Sequence, residues 1–195
     1  DPSRGIAFQT DGPLDMRMDR SVGEPASALL GRIGEDALAK LLRELGGEAW
    51  SGPIARKIVE RRRTSPLTRT QDLVDCVLAA IPPAKRDKRI HPATRTFQAI
   101  RVAVNFELEN LDECIREIAM TLAPGGHFVV LSYHDGEDRP VKHVFRELEK
   151  HGFKVLTKKP LIPTPEEVER NRRARSAKMR VLYRLPLDSE PGENS

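Results

Sequence analysis

One segment limits the possible folds of this chain more than any other: Pro124-Gly125-Gly126-His127-Phe128-Val129-Val130-Leu131-Ser132-Tyr133-His134. The proline and two glycines stop a preceding helix, and aromatic and β-branched residues follow between polar flanks. This pattern predicts a buried strand over Phe128–Tyr133. A near-continuous apolar strand is typical of a sheet covered on both faces, and it needs a neighbour on each edge. The rest of the sequence supplies two further short strands, Phe153–Thr157 and Lys178–Leu185, the latter with Met179, Val181 and Tyr183 alternating. Residues 92–123 predict two consecutive helices, with Phe97, Ile100, Ala103 and Val104 apolar on the first. Leu108, Leu111, Ile115, Ile118 and Leu122 line the second. A further helix is expected over Pro140–His151, with Val141, Val144, Phe145 and Leu148 on one side. The order helix–strand–helix–strand–strand suits the end of an α/β sheet with further strands upstream.

Residues 25–81 predict a small helical unit. Asp36–Leu45 carries Ala37, Leu38, Leu41, Leu42 and Leu45 on one stripe, and Gly46–Gly47 ends it. Pro53 suits a first helical turn before Ile54, Ala55, Ile58 and Val59. Thr70 is the expected N-cap of a third helix bearing Leu73, Val74, Val77, Leu78 and Ile81, which Pro82–Pro83 ends. These helices are short and share a thin core, so residues 25–81 are expected to fold poorly alone. Residues 1–24 show no periodicity and read as a long loop, of the kind that often carries function.

With 38% hydrophobic and 32% charged residues in 195, the chain is highly charged, yet its apolar residues recur at helical and strand spacing. It therefore reads as folded. The net charge of +4 is mild, but the basic residues cluster at Arg56–Lys57, Arg61–Arg63, Lys85–Arg89 and Arg170–Arg180. The N-terminus is polar and resembles no signal peptide, and no apolar run is long enough to span a membrane. Cys76 and Cys114 lie far apart on apolar helical faces and read as buried free thiols in a reducing cytoplasm. His91, His127, His134, His143 and His151 are scattered without zinc spacing, so no metal site is expected.

Two segments are candidates for contact with a ligand. The connection His134-Asp-Gly-Glu-Asp-Arg139 follows the strand, where open α/β sheets bind ligands; it also reads as a polar turn with Asp138 as an N-capping acid. The stretch Arg170–Arg180 has no acid and is the densest positive segment. It is either a solvated loop or a phosphate-contacting one, since arginine suits bidentate phosphate contacts.

Four motifs, DGPLDMRMD (Asp11–Asp19), HPATRTFQAIRVAVN (His91–Asn105), LAPGGHFVVLSYH with EDRPVK (Leu122–His134 and Glu137–Lys142), and RARSAKMRV (Arg173–Val181), occur in an order that closely resembles the MraW/RsmH family. The resemblance runs from about Arg4 to Leu185. It implies a class I, Rossmann-like α/β methyltransferase sheet, incomplete at its N-terminal side, with a small inserted helical domain. The implied organisation is a loop of the methyltransferase domain at 1–24, the substrate-recognition insert at 25–81, the C-terminal part of the methyltransferase domain at 82–187, and a disordered acidic tail at 188–195.

The implied activity is transfer of a methyl group from S-adenosylmethionine to the N4 of a cytidine in the decoding region of 16S ribosomal RNA. The small ribosomal subunit is then the partner and the cytoplasm the location. The exocyclic amine is a poor nucleophile and must be held in line with the methyl group, with its base out of the stack. In the family, the Gly-rich turn, the acid after the second strand and an Asp-Leu-Gly segment carry most cofactor contacts. All fall upstream of Asp1, so the catalytic residues and cofactor contacts are expected there, and the 195 residues alone are expected to bind cofactor weakly and to be inactive. What remains should shape the pocket rim and grip RNA: His91 and Arg95 beside the pocket, His134 and Arg139 at the strand end, Arg173 and Arg175 on phosphates. The sequence departs from the family at Asp135–Gly136, where a Ser-Leu pair is usual, and at Tyr133, usually Phe. The alternative is a non-catalytic RNA-binding or ribosome-assembly module.

Overall fold

Helices α1 (Ala26–Arg32), α2 (Glu35–Gly46), α3 (Ser51–Thr64), α4 (Thr70–Ala80) and α5 (Thr94–Val104) build the first of two units. A computed structural model describes residues 2–186, and its contacts divide the chain into Asp1–Glu107 and Leu108–Ser195. The expected tail at 188–195 lies outside the described residues.

The core of the first unit is formed by Leu30, Leu38, Leu42, Ile54, Ile58, Leu73, Val77, Phe97 and Ile100, all 2% exposed or less. Burying each such side chain is worth about 1.5–3 kcal/mol. The contacts divide the chain at 107/108, and α5 packs on α2 and lends Phe97 and Ile100 to this core. The stretch 1–24 is largely irregular, and it inserts Leu14 and Met16 into the same core.

Local chemistry explains the helix ends. Gly47 takes a left-handed φ of 60° and its N–H donates to the Arg43 carbonyl, a C-terminal cap that suits glycine. Gly46 allows α2 to touch α5, since a Cβ there would lie 2.5 Å from the Arg95 carbonyl oxygen. The expected N-cap Thr70 is instead the first residue of α4, and its hydroxyl accepts from the Gly12 N–H at 3.0 Å. The capping comes from Asp72, which accepts from the N–H groups of Thr68 and Arg69, and from Asp11, which accepts from that of Gln71.

In the second unit, α6 (Leu111–Thr121) and α7 (Asp135–Leu148) pack on a sheet of β1 (His127–Ser132), β2 (Phe153–Val155) and β3 (Lys178–Arg184); a short α8 (Pro165–Arg170) precedes β3. The order is β1-β3-β2 with both pairings antiparallel, Val130 opposite Arg180 and Val155 opposite Leu182. The architecture is mixed α/β. Ile115, Val141, Val144, Phe145, Leu148, Phe153 and Leu182 form a separate small core.

Three expectations are revised here. β1 is buried on one face only: Val129 and Leu131 are 51% and 56% exposed, while Phe128 and Val130 pack on the core. Ile118 and Cys114 are exposed, because the inward stripe of α6 is narrower than its apolar content suggests. Helix α7 begins at Asp135 and not at Pro140: His134 caps it, and Pro140 sits inside the helix in its second turn, where it gives up one N–H bond. No helix among the described residues is long and apolar enough to cross a membrane.

Candidate functional site

The six residues expected to meet RNA fall into two groups, one in each unit. His91 and Arg95 share a cleft of about 410 Å³ with Trp50, Lys85, Arg86 and Arg89. His91 ends the 85–91 connection. Its ring stacks on Phe8 with centroids 4.6 Å apart, and its Nδ1 accepts from the Ala93 N–H, which fixes the ring at the start of α5. Arg95 is exposed on the first turn of α5 and has no ion-pair partner among the described residues. Arg86 has a structural task, since its guanidinium donates to the carbonyls of Leu78 and Ile81 at the end of α4. Lys85, Lys88 and Arg89 stay exposed, and only Arg89 meets an acid, Asp87 at 3.4 Å. The cleft is thus basic, with aromatic rings beside its cations.

The second group lies at the C-terminal end of β1. His134 is the N-cap of α7: its Nδ1 accepts from the Glu137 N–H at 3.3 Å, and its ring is 13% exposed. Nε2 lies 3.1 Å from Glu137 Oε1 at an angle that makes no hydrogen bond. Asp138, expected as an N-capping acid, is one turn inside and pairs with Arg180. Arg139 is exposed and without an ion pair among the described residues. Arg172, Arg173 and Arg175 sit in the short helical turn Arg172–Ser176, which ends two residues before β3; they are exposed, while Ala174 between them is buried. Lys178 opens β3 opposite Ser132, the last residue of β1, and pairs with Asp135 on α7. Lys178 thereby joins the β3 start to the α7 start; Arg139 follows on α7, and Arg173 and Arg175 precede β3. Arg180, counted with the basic stretch in the sequence, belongs to the interior at 5% exposure.

Sequence reasoning missed Asn105. Its Nδ2 donates to the Met16 carbonyl at 2.8 Å and its Oδ1 accepts from the Met18 N–H at 2.6 Å, so the end of α5 holds the segment 11–19. Met16 sits there at a φ of 65°, a strained value for a non-glycine residue, and is fully buried. Both residues fall in motifs already singled out, but nothing in the residue types alone announces the contact. Asp15 in the same segment binds Arg17, whose guanidinium holds the carboxyl below its ordinary range.

The acids beside these groups are engaged. Asp135 pairs with Lys178, Glu137 accepts from the Tyr133 N–H and Asp138 pairs with Arg180. Asp11, Asp15 and Asp19 bind Arg69, Arg17 and Ser21. None of these six is free to bind the hydroxyls of a ribose. The turn at Gly125–Gly126 is likewise tied up, through hydrogen bonds from the Gly125 N–H to Arg184 and from the Arg184 N–H to Gly126. The described residues therefore do not by themselves fit S-adenosylmethionine. What they offer is two basic surfaces suited to an anionic polymer.

Residues 1–185 match the MraW methylase family. The chain is 45% identical over 198 aligned positions to a protein of Trichlorobacter lovleyi named ribosomal RNA small subunit methyltransferase H, covering 93% of this chain and 63% of the relative. Proteins of the same name from Kosmotoga olearia and Synechococcus elongatus are 46% and 44% identical, covering 93% and 95% of this chain and 61% of each relative. The chain thus spans somewhat less than two thirds of the length of these relatives. With a match running through all four motifs and both units, the chain belongs to the MraW methylase family.

Proposed function

We propose that this chain forms the RNA-gripping and pocket-rim part of an S-adenosylmethionine-dependent methyltransferase that modifies the N4 of a cytidine in the decoding region of 16S ribosomal RNA. The observation that carries the reading is the pair of unneutralised basic surfaces, His91–Arg95 with Lys85 and Lys88 in one unit, and Arg139 with Arg172, Arg173 and Arg175 in the other. Both lie within the stretch matched by the MraW methylase family, whose relatives are named as small-subunit ribosomal RNA methyltransferases. Exposed arginines without acid partners gain most from phosphate, because binding releases counterions from the nucleic acid. His91 stacked on Phe8 offers an aromatic platform for an unstacked base, as single-stranded RNA recognition requires. The sheet end from which Arg139 projects is where a Rossmann-like domain would present its substrate.

The test uses small ribosomal subunits from cells lacking the modification and labelled S-adenosylmethionine. The 195-residue chain is compared with the chain extended by the reading frame upstream of Asp1. Label from the extended chain, recovered as N4-methylcytidine, is the expected result. Label on another nucleoside ends the cytidine reading. RNA binding without transfer by either form favours the alternative, a non-catalytic RNA-binding module.

A further inference from the structure

In the second unit, α7 and the segment after β2 line a further basic cavity. It holds about 210 Å³ and is lined by Lys142, Phe145, Arg146, Glu149, Val155, Lys158 and Arg180. Lys142, Phe145 and Arg146 fall at positions i, i+3 and i+4 of α7 and so share one face, with Glu149 just past its end. Thr157 accepts from the Val181 N–H at 2.8 Å, which pins the segment bearing Lys158 to the central strand.

Arg180 sets this cavity apart from a patch of surface lysines. It is 5% exposed, its Nε and Nη2 donate to Asp138, and its Nη1 has no partner among the described residues. Arg180 itself lines the cavity. Lys142, Arg146 and Lys158 have no ion pair among the described residues. Glu149 is engaged by the Val155 N–H at 3.3 Å. Four cations stand against the carboxylates of Asp138, which pairs with Arg180, and Glu149, leaving a surplus of positive charge for a phosphate group. The planar guanidinium of arginine suits phosphate oxygens, which it can meet through more than one N–H.

We propose that Arg180, Lys142, Arg146 and Lys158 form a phosphate-binding site, taking either a backbone phosphate of RNA or the phosphate of a small free molecule. The site does not depend on the methyltransferase reading. Asp138 holds Arg180 in place, and the lysines and Arg146 close over the anion.

Titration of the 195-residue chain with inorganic pyrophosphate, followed through the Arg180 Nε–H resonance, tests the site. The expected result is a saturable shift, weakened about tenfold or more in the Lys142→Glu/Arg146→Glu variant. Lys142 is half-buried and Arg146 exposed, and circular dichroism checks that the fold is kept. A Lys85→Glu variant in the other unit should leave the titration unchanged. An unphosphorylated-end oligoribonucleotide that displaces pyrophosphate identifies the RNA backbone as the source; failure to displace it identifies a small free phosphate. No shift at Arg180 up to the millimolar range, or an equal loss in Lys85→Glu, overturns the site. Oligoribonucleotide binding that persists without the Arg180 shift leaves the two other basic surfaces intact, so the two failures are distinct.

Discussion

Arg180 and Asp138 form a bidentate pair, Nε to Oδ1 at 2.7 Å and Nη2 to Oδ2 at 2.9 Å, that fastens the central strand β3 to the second turn of α7. Both residues are buried, so each charge depends on the other for what water would otherwise supply. Removing one partner leaves an uncompensated charge and should cost about 3–5 kcal/mol, whereas replacing both by apolar residues costs much less. Asp138→Ala and Arg180→Met are therefore each expected to shift the urea midpoint strongly, and the Asp138→Leu/Arg180→Met double variant to recover most of the loss. Single variants that melt like the parent would show the pair to be dispensable.

The first unit makes a prediction about its folding boundaries. Leu14 and Met16 enter its core from one side of the sequence, Phe97 and Ile100 from the other. A segment of residues 25–81 lacks all four and should show weak helicity without a cooperative melt, as short helices without packing do. Residues 1–107 should melt cooperatively by circular dichroism. Within that unit, Asn105→Ala leaves the Met16 carbonyl and the Met18 N–H without their partner. It is expected to cost about 1–3 kcal/mol.

Acid should release the N-terminal segment at a definable point. The hydrogen bond from the Arg69 side chain holds the Asp11 carboxyl below the ordinary value of 3.8, and Arg17 does the same for Asp15. Both carboxyls are depressed in the folded state, so their contribution is fully present above about 3.8 and is lost as pH falls through the lower folded values. Carboxyl carbon shifts of Asp11 and Asp15 followed by NMR should titrate below 3.8. Asp11→Asn should remove part of the acid sensitivity of the first unit. A midpoint at or above the ordinary value would refute the coupling.

The two thiols should differ sharply. Burial pushes the Cys76 thiol up to about 11, and its Sγ lies 3.9 Å from the Lys57 carbonyl, whereas Cys114 is exposed on α6. Because the thiolate is the reactive form, a disulfide reagent near pH 8 is expected to modify one thiol per folded chain quickly, and Cys114→Ser to abolish that phase. Rapid loss of two thiols from the native protein would mean that Cys76 is accessible.

Helix existence was legible wherever period and stop signals agreed, as for α2, α3 and α4, because both are local properties of the chain. The short α1 was not, since its seven residues hold too few apolar positions to show a period. The second face of β1 was misread because Val129 and Leu131 look the same in sequence whether covered or bare. At the candidate sites, residue types marked the basic stretches but not their fate. Arg180 lies in the same run as Arg175, and only the start of β3 between them decides their fate: strand register turns Arg180 inward, while Arg175 stays out in the turn before it. His134 likewise reads as a surface ligand until its ring is seen to cap α7.

The arginines of the turn before β3 support the last prediction. Two roles suit Arg172, Arg173 and Arg175: gripping phosphate, or bracing the fold through acids of α7. The second role loses its partners here. Glu147 pairs with Arg116 at 3.0 Å and Glu149 accepts from the Val155 N–H. The three arginines are exposed and make no ion pair among the described residues. Replacing them by alanine should therefore leave the thermal midpoint nearly unchanged, as surface substitutions usually do. If each meets one phosphate, the slope of log affinity against log salt for RNA should fall by about two to three units. The two quantities are to be measured on the same triple variant. A lowered midpoint with an unchanged slope would assign these arginines to stability, and an unchanged slope alone would end the phosphate role.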